Sequence, residues 1–153
     1  RKKKKKDQSI NLKIYSSIFV DGLWTAATDI GINGDDFATC HPSLSAEGKL
    51  LYFASDRPGG FGGMDLYYTV YEGGNWSPPR NLGPRINTEG HEVFPYVHTS
   101  GRLYFSSDGH VSLGMLDIHY IDNNNGVWGP PMNIGFPINT PSDDFGLILI
   151  DFY

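Results

Sequence analysis

The sequence predicts an all-β fold assembled from repeated four-stranded units. Three observations carry that prediction. The tryptophans Trp24, Trp76 and Trp128 are separated by equal intervals of 52 residues. Glycine accounts for 19 of 153 residues and proline for 10, with glycine well above its usual level of about 7%. No segment shows the 3.6-residue apolar period over the length that a helix needs.

Composition narrows the class further. With 39% hydrophobic and 19% charged residues the chain can bury an ordinary core. Nine Tyr, nine Phe and three Trp exclude an aromatic-poor, highly charged disordered tail. Sparse Ala, Leu, Glu and Lys beside frequent breakers argue against a helical bundle. No run of 18 apolar residues is present, so no helix spans a bilayer.

The elements follow in order. Residues 1–11 read as a basic linker, because six of the twelve Lys and Arg residues lie at positions 1–6. The remaining residues carry six basic against seventeen acidic side chains, a net of -11 with histidine neutral. A nucleic-acid reader needs basic residues spread over a face of its fold, so no nucleic-acid partner is expected. No apolar stretch follows the basic run, so it is not a signal peptide. The chain is then cytoplasmic or carries its targeting segment outside these residues. Cys40 is the single cysteine and permits neither an internal disulfide nor a cysteine-cluster zinc site.

A partial unit, residues 12–40, opens with Leu12-Lys13-Ile14-Tyr15. Full units follow at residues 41–93 and 94–142, and residues 143–153 start another with Asp143-Asp144-Phe145. The landmarks recur in one order. Trp24, Trp76 and Trp128 each precede an Asp or Asn (Asp29, Asn81, Asn133), a glycine (Gly31, Gly83, Gly135) and an Ile-Asn pair (Ile32-Asn33, Ile86-Asn87, Ile138-Asn139). Leu51-Tyr52-Phe53-Ala54-Ser55-Asp56 matches Leu103-Tyr104-Phe105-Ser106-Ser107-Asp108. Met64-Asp65-Leu66-Tyr67 matches Leu116-Asp117-Ile118-His119.

Within the first full unit, residues 41–44 form a first strand. Residues 49–54 form a mostly buried inner strand. Residues 65–71 alternate as a strand with one buried face, through Leu66, Tyr68 and Val70. Residues 76–82 form an outer strand, where its prolines are tolerated only at an edge. The connections at Glu47-Gly48, residues 56–63 and Gly73-Gly74-Asn75 are turn chemistry. Four antiparallel strands in a radially repeated unit are what a β-propeller blade looks like. A β-sandwich also has many short strands but no reason for equally spaced tryptophans. Two full units with partial units at both ends make an incomplete propeller, since closure needs at least four blades. The expected partner is the remainder of a larger ring.

Residues 42–48, 51–56, 57–67 and 81–88, with the later phrases at 131–135 and 141–145, resemble the TolB-type, WD-like β-propeller repeat. The resemblance covers about residues 12 to 150. Its subtype is similar to that of large OmpA-family envelope proteins of Bacteroidetes, one of which belongs to the type IX secretion system. In those proteins a tetratricopeptide segment and a propeller precede a peptidoglycan-binding domain. The resemblance implies a periplasmic, outer-membrane-associated scaffold that binds other envelope proteins, does no chemistry and needs no cofactor. No OmpA-like segment is present here, so peptidoglycan binding is not credited to these residues. The repeat also occurs before hydrolase domains.

The candidate residues divide accordingly. Equal spacing assigns Trp24, Trp76 and Trp128 to packing between units, against a role in stacking sugars. Asp56 and Asp108 follow the inner strands and are placed to accept hydrogen bonds from turn amides. Asp65, Asp117, Asn81 and Asn133 are structural repeat positions. Arg57 has Gly109 as its counterpart, and that asymmetry makes it a candidate for an exposed partner contact. The glycines at 59, 60, 62 and 63 lack the Gly-Lys-Ser/Thr ending of a P-loop and read as a wide turn. Asp35-Asp36 and Asp143-Asp144 are paired carboxylates that read as turn caps rather than a metal site or an acid–base pair. His41, His91, His98, His110 and His119 have no metal-ligand spacing, and His41 and His119 read as half-buried strand residues. No serine sits in a nucleophile elbow. The leading expectation is a non-enzymatic scaffold. The alternatives are a glycan- or peptidoglycan-binding module, marked by an exposed Trp or Tyr in a groove, and the propeller portion of a larger hydrolase.

Overall fold

The computed structural model describes residues 11–124 and 126–150, and within them every regular element is a β-strand. The basic run at residues 1–6 lies outside the described residues. Strands β1 (Tyr15–Ser16), β2 (Phe19–Val20), β3 (Leu23–Trp24) and β4 (Thr28–Asp29) form two small antiparallel ladders, β1 with β4 and β2 with β3. The first large sheet contains β5 (Thr39–Leu44), β6 (Leu50–Ser55) and β7 (Asp65–Glu72), antiparallel in chain order. The outer edge of β7 is shared by β8 (Asn75–Trp76) and β9 (Arg80–Asn81). The predicted continuous outer strand is therefore two short ones, because Pro78 and Pro79 between them have no N–H to give the ladder.

The second large sheet repeats the first. Its order is β10 (Glu92–Val97), β11 (Leu103–Ser107), β12 (Asp117–Ile121) and, after a separate hairpin of β13 (Asn123–Asn124) and β14 (Val127–Trp128), β15 (Met132–Asn133). Both first strands carry a register shift beside a residue with positive φ, His41 at 52° and Phe94 at 51°. A bulge at one place in both sheets is a feature of the unit. Among the described residues the sheets do not close into a ring or barrel.

The sheets stack face to face. Tyr52, Ala54, Leu66 and Cys40 of the first share a core with Leu103, Phe105, Ile121 and Val93 of the second, with Ile86 between them. On the other face of the first sheet, Leu51, Phe53 and Tyr67 pack against Ile14 and Ile32 of the N-terminal segment. This corrects the one-sided reading of β7. Asp65, Leu66, Tyr67 and Thr69 are all buried, because the first sheet is covered on both faces.

Candidate functional site

The repeat positions build one polar network twice. The buried Asp65 carboxylate accepts from the Phe61 amide at 2.7 Å, the Gly62 amide at 3.2 Å and Asn81 Nδ2 at 2.7 Å. Asn81 Oδ1 accepts from the Gly83 amide at 2.7 Å and from Asn87 Nδ2 at 2.8 Å. Asn87 then closes on β7, accepting from Leu66 N at 2.8 Å and donating to Leu66 O at 3.0 Å. In the second sheet Asp117 accepts from Leu113, Gly114 and Asn133, and Asn139 bonds both backbone groups of Ile118 at 2.8 Å. The network ties the loop after the second strand, the outer strand and the exit segment to the third strand. Buried polar groups persist only when so satisfied.

The N-terminal segment keeps part of this device. Asn33 bonds both backbone groups of Ile14, at 2.9 Å and 2.7 Å. Lys13 stands where the full units have Asp65 and Asp117, and pairs with Asp35 at 2.6 Å. Recurrence singled out Asp65, Asp117, Asn81 and Asn133. It did not assign Asn33, Asn87 and Asn139 a task, although the recurring Ile-Asn pair was the signal for them.

The junctions between layers carry a second device. The Arg57 guanidinium donates to Ser55 Oγ at 3.0 Å, to the Ile32 carbonyl at 3.1 Å and to Thr39 Oγ1 at 3.3 Å. It lies within 5.0 Å of the ring centres of Phe37, Phe53 and Tyr67. A half-buried side chain so engaged is not an exposed partner contact, which corrects the expectation for Arg57. Its functional counterpart is His110, one position beyond Gly109. His110 Nε2 donates to the Ile86 carbonyl at 2.7 Å and packs beside Phe105 and His119, the counterparts of Phe53 and Tyr67. Both residues serve the carbonyl of the preceding Ile-Asn pair.

Asp56 and Asp108 are exposed and serve the entry to the first strand rather than their own turns. Asp56 accepts from the Ala38 amide at 2.7 Å and Asp108 from the His91 amide at 2.6 Å. Trp128 meets Tyr52 of the preceding sheet edge-on at 6.4 Å, and Trp76 packs against the N-terminal core. Trp24 differs: it is 70% exposed and touches Phe19 on the β2–β3 hairpin. Trp128, Tyr52, Tyr68 and Asn123 line a cleft of about 170 Å³ between the sheets.

The remaining candidates separate. Asp144 caps a turn, accepting from the Thr140 amide, as Glu92 accepts from the Thr88 amide at 2.9 Å and from Ser107 Oγ at 2.7 Å. Asp143 accepts from the Leu116 amide at 3.0 Å, and Asp36 is exposed. His119 is 2% exposed rather than half-buried. Its two ring nitrogens face the carbonyls of Asp117 and Val111, and burial pushes its pKa down. Cys40 is buried, and desolvation with Asp56 nearby pushes its thiol up to about 11. Among the described residues no group of three His, Cys, Asp or Glu side chains converges as a metal site. No helix among them is long and apolar enough to cross a membrane.

Comparison with protein-family models, characterised proteins and solved structures gives no match.

Proposed function

We propose that this chain is a non-enzymatic protein-interaction scaffold of the bacterial envelope, built from consecutive propeller blades. The observation that carries the reading is the apolar surface of the β2–β3 hairpin and of the turn after β15. Leu23 and Trp24 are 74% and 70% exposed on the hairpin, and Phe136 is 83% exposed in the turn. On the hairpin Phe19 and Val20 are exposed as well, and Phe19 packs on Trp24; apolar side chains clustered in this way mark interaction surfaces. The blade reading is supported by the two sheets, which repeat strand order, bulge and polar network and stack through equivalent side chains. Placement in the periplasm at the outer membrane, within a secretion or gliding complex, rests on the resemblance of the repeat. The partners are other envelope proteins.

The test is photo-crosslinking in cells, with the reactive residue at Leu23 or at Phe136. Adducts to outer-membrane-associated proteins are the expected outcome. Absence of adducts from both positions, with the chain in the cytoplasmic fraction, overturns the reading. A glycan-binding module is the second reading, favoured by the Trp128–Tyr52–Tyr68 cleft. Calorimetric titration with peptidoglycan fragments, repeated on Trp128→Ala, decides it.

A further inference from the structure

The loops that follow the second strands, residues 56–64 and 108–116, meet the exit turns of the units in one continuous surface. Gly62 abuts the backbone of Thr88 and Glu89, Gly90 abuts Asp108 and Gly109, and Gly114 abuts the carbonyls of Thr140 and Ser142, each so closely that a Cβ would collide. The buried Asp of each unit presents an apolar side chain on this surface. Asp65 accepts from the Phe61 amide and Asp117 from the Leu113 amide, both at 2.7 Å. The equivalent side chains of Phe61 and Leu113 are 45% and 56% exposed, and Val111 is 91% exposed. This openness belongs to the unit itself. The first sheet is covered on both faces, yet Phe61 stays exposed, and a Cβ on Gly59, the counterpart of Val111, meets nothing within 4 Å.

Oriented carboxylates stand among these side chains. Asp56, Asp108 and Asp143 each accept through Oδ1 from a backbone amide, of Ala38, His91 and Leu116. The Oδ2 of each has no partner among the described residues, and Glu89 is exposed beside Gly62. Across residues 56–64, 87–91, 108–116 and 140–144 the only Lys or Arg is Arg57, whose guanidinium is held in the junction.

We infer that this loop surface docks a cationic segment of a partner polypeptide, one in which apolar side chains are interspersed with Lys or Arg. Apolar anchors against Phe61, Val111 and Leu113 supply affinity, and cations on the outward Oδ2 atoms fix the approach and reject acidic segments. A purely apolar segment would strip water from the carboxylates without replacing it, and a purely cationic one would leave the apolar side chains uncovered. The Asp of the repeated network is then both a fold element and the support of the contact. The inference adds a second surface to the scaffold proposed above and rests on that reading for its setting.

The probe is a short fluorescein-labelled peptide alternating Leu and Lys, titrated with the full chain and read by anisotropy. Peptides with Ser for Leu or Glu for Lys are expected to bind at least about tenfold more weakly. The chain carrying Phe61→Ser, Val111→Ser and Leu113→Ser is expected to lose at least about tenfold in affinity with its urea midpoint unchanged. Leu23→Ser with Trp24→Ser is expected to leave the affinity as it is. Hydrogen exchange of the unsubstituted chain, which needs no variant to fold, is expected to slow over residues 58–62 and 109–115 when the peptide is added. No binding at about 1 mM, equal binding of the Ser peptide, or protection elsewhere than these loops overturns the inference. So does binding at least about tenfold tighter to a chain with glutamine at residues 1–6, which makes this chain's own basic run the occupant. Failure here leaves crosslinking from Leu23 and Phe136 untouched. Failure of crosslinking with peptide binding intact removes the envelope setting and keeps the loop surface.

Discussion

Asn87→Ala tests whether the polar network holds the unit together. Asn87 is buried and makes three hydrogen bonds, to Leu66 N, Leu66 O and Asn81 Oδ1. Two of the groups left behind keep a partner. Leu66 O still accepts from the Leu82 amide at 3.0 Å, and Asn81 Oδ1 still accepts from the Gly83 amide at 2.7 Å. Losing those two bonds costs about 0.5–1.5 kcal/mol each. The Leu66 N–H is different, because the residue is fully buried and no water reaches it. An orphaned buried donor costs about 1–3 kcal/mol. The expected loss is about 2–6 kcal/mol, a large share of a domain stability of about 5–15 kcal/mol. Asn33→Ala removes the same pair of bonds from Ile14, but both bonds are only part-buried, so a smaller loss of about 1–3 kcal/mol is expected. Urea unfolding followed by tryptophan fluorescence gives the stabilities, and hydrogen exchange of the Leu66 amide localises the effect. The reasoning is refuted if Asn87→Ala costs no more than Asn33→Ala, or if the Leu66 amide stays as protected as in the parent chain.

Other consequences are equally direct. Gly62→Ala drives a Cβ into the Thr88 and Glu89 backbone, so urea unfolding is expected to show a loss of about 1–3 kcal/mol, whereas Gly59→Ala meets open space and loses only about 1 kcal/mol to its φ of 92°. Arg57→Lys cannot serve Ser55, Ile32 and Thr39 together as the planar guanidinium does, and a drop in the urea midpoint equivalent to about 1–2 kcal/mol is expected. Burial lowers the pKa of His119 from its ordinary 6.5, so its contribution is full above that pH and is lost as the pH falls below it. Unfolding midpoints between pH 8 and 5 should therefore drop less in His119→Tyr, the residue of the equivalent position Tyr67, than in the parent. The Cys40 thiol, raised from 9.0 to about 11, favours the fold below pH 9 and loses that contribution as the pH rises toward 11. Alkylation at neutral pH should be slow in the native chain and fast in urea.

What was legible in the sequence follows from which features recur at a fixed spacing. The strands, the turns and the Asp and Asn positions recur, so the all-β class and the repeat positions Asp65, Asp117, Asn81 and Asn133 could be read, though not the task of Asn33, Asn87 and Asn139. The two-sided burial of β7 could not, because alternation reports a polar face only when one face meets water. Thr69 and Asp65 look polar, yet both are buried and hydrogen-bonded to Ser77 and Asn81 of the same unit. The engagement of Arg57 was hidden for another reason. Position-by-position alignment sets it against Gly109, while the residue that does its work, His110, is one place further on.

That displacement bears on how the junctions are built. The Ile-Asn carbonyl needs a donor at each junction, and a long flexible guanidinium and a short imidazole reach it from neighbouring positions of the same loop. Each donor brings a different electrostatic demand. Arg57 brings a charge that lies over Phe37, Phe53 and Tyr67 and finds Thr39 at the head of the first strand. In the next unit Glu92 occupies that place, fully buried and bonded to Thr88 and Ser107. The two junctions share a backbone register and differ in their side chains. One backbone arrangement thereby carries two different polar junctions, each closing on the carbonyl of the preceding Ile-Asn pair.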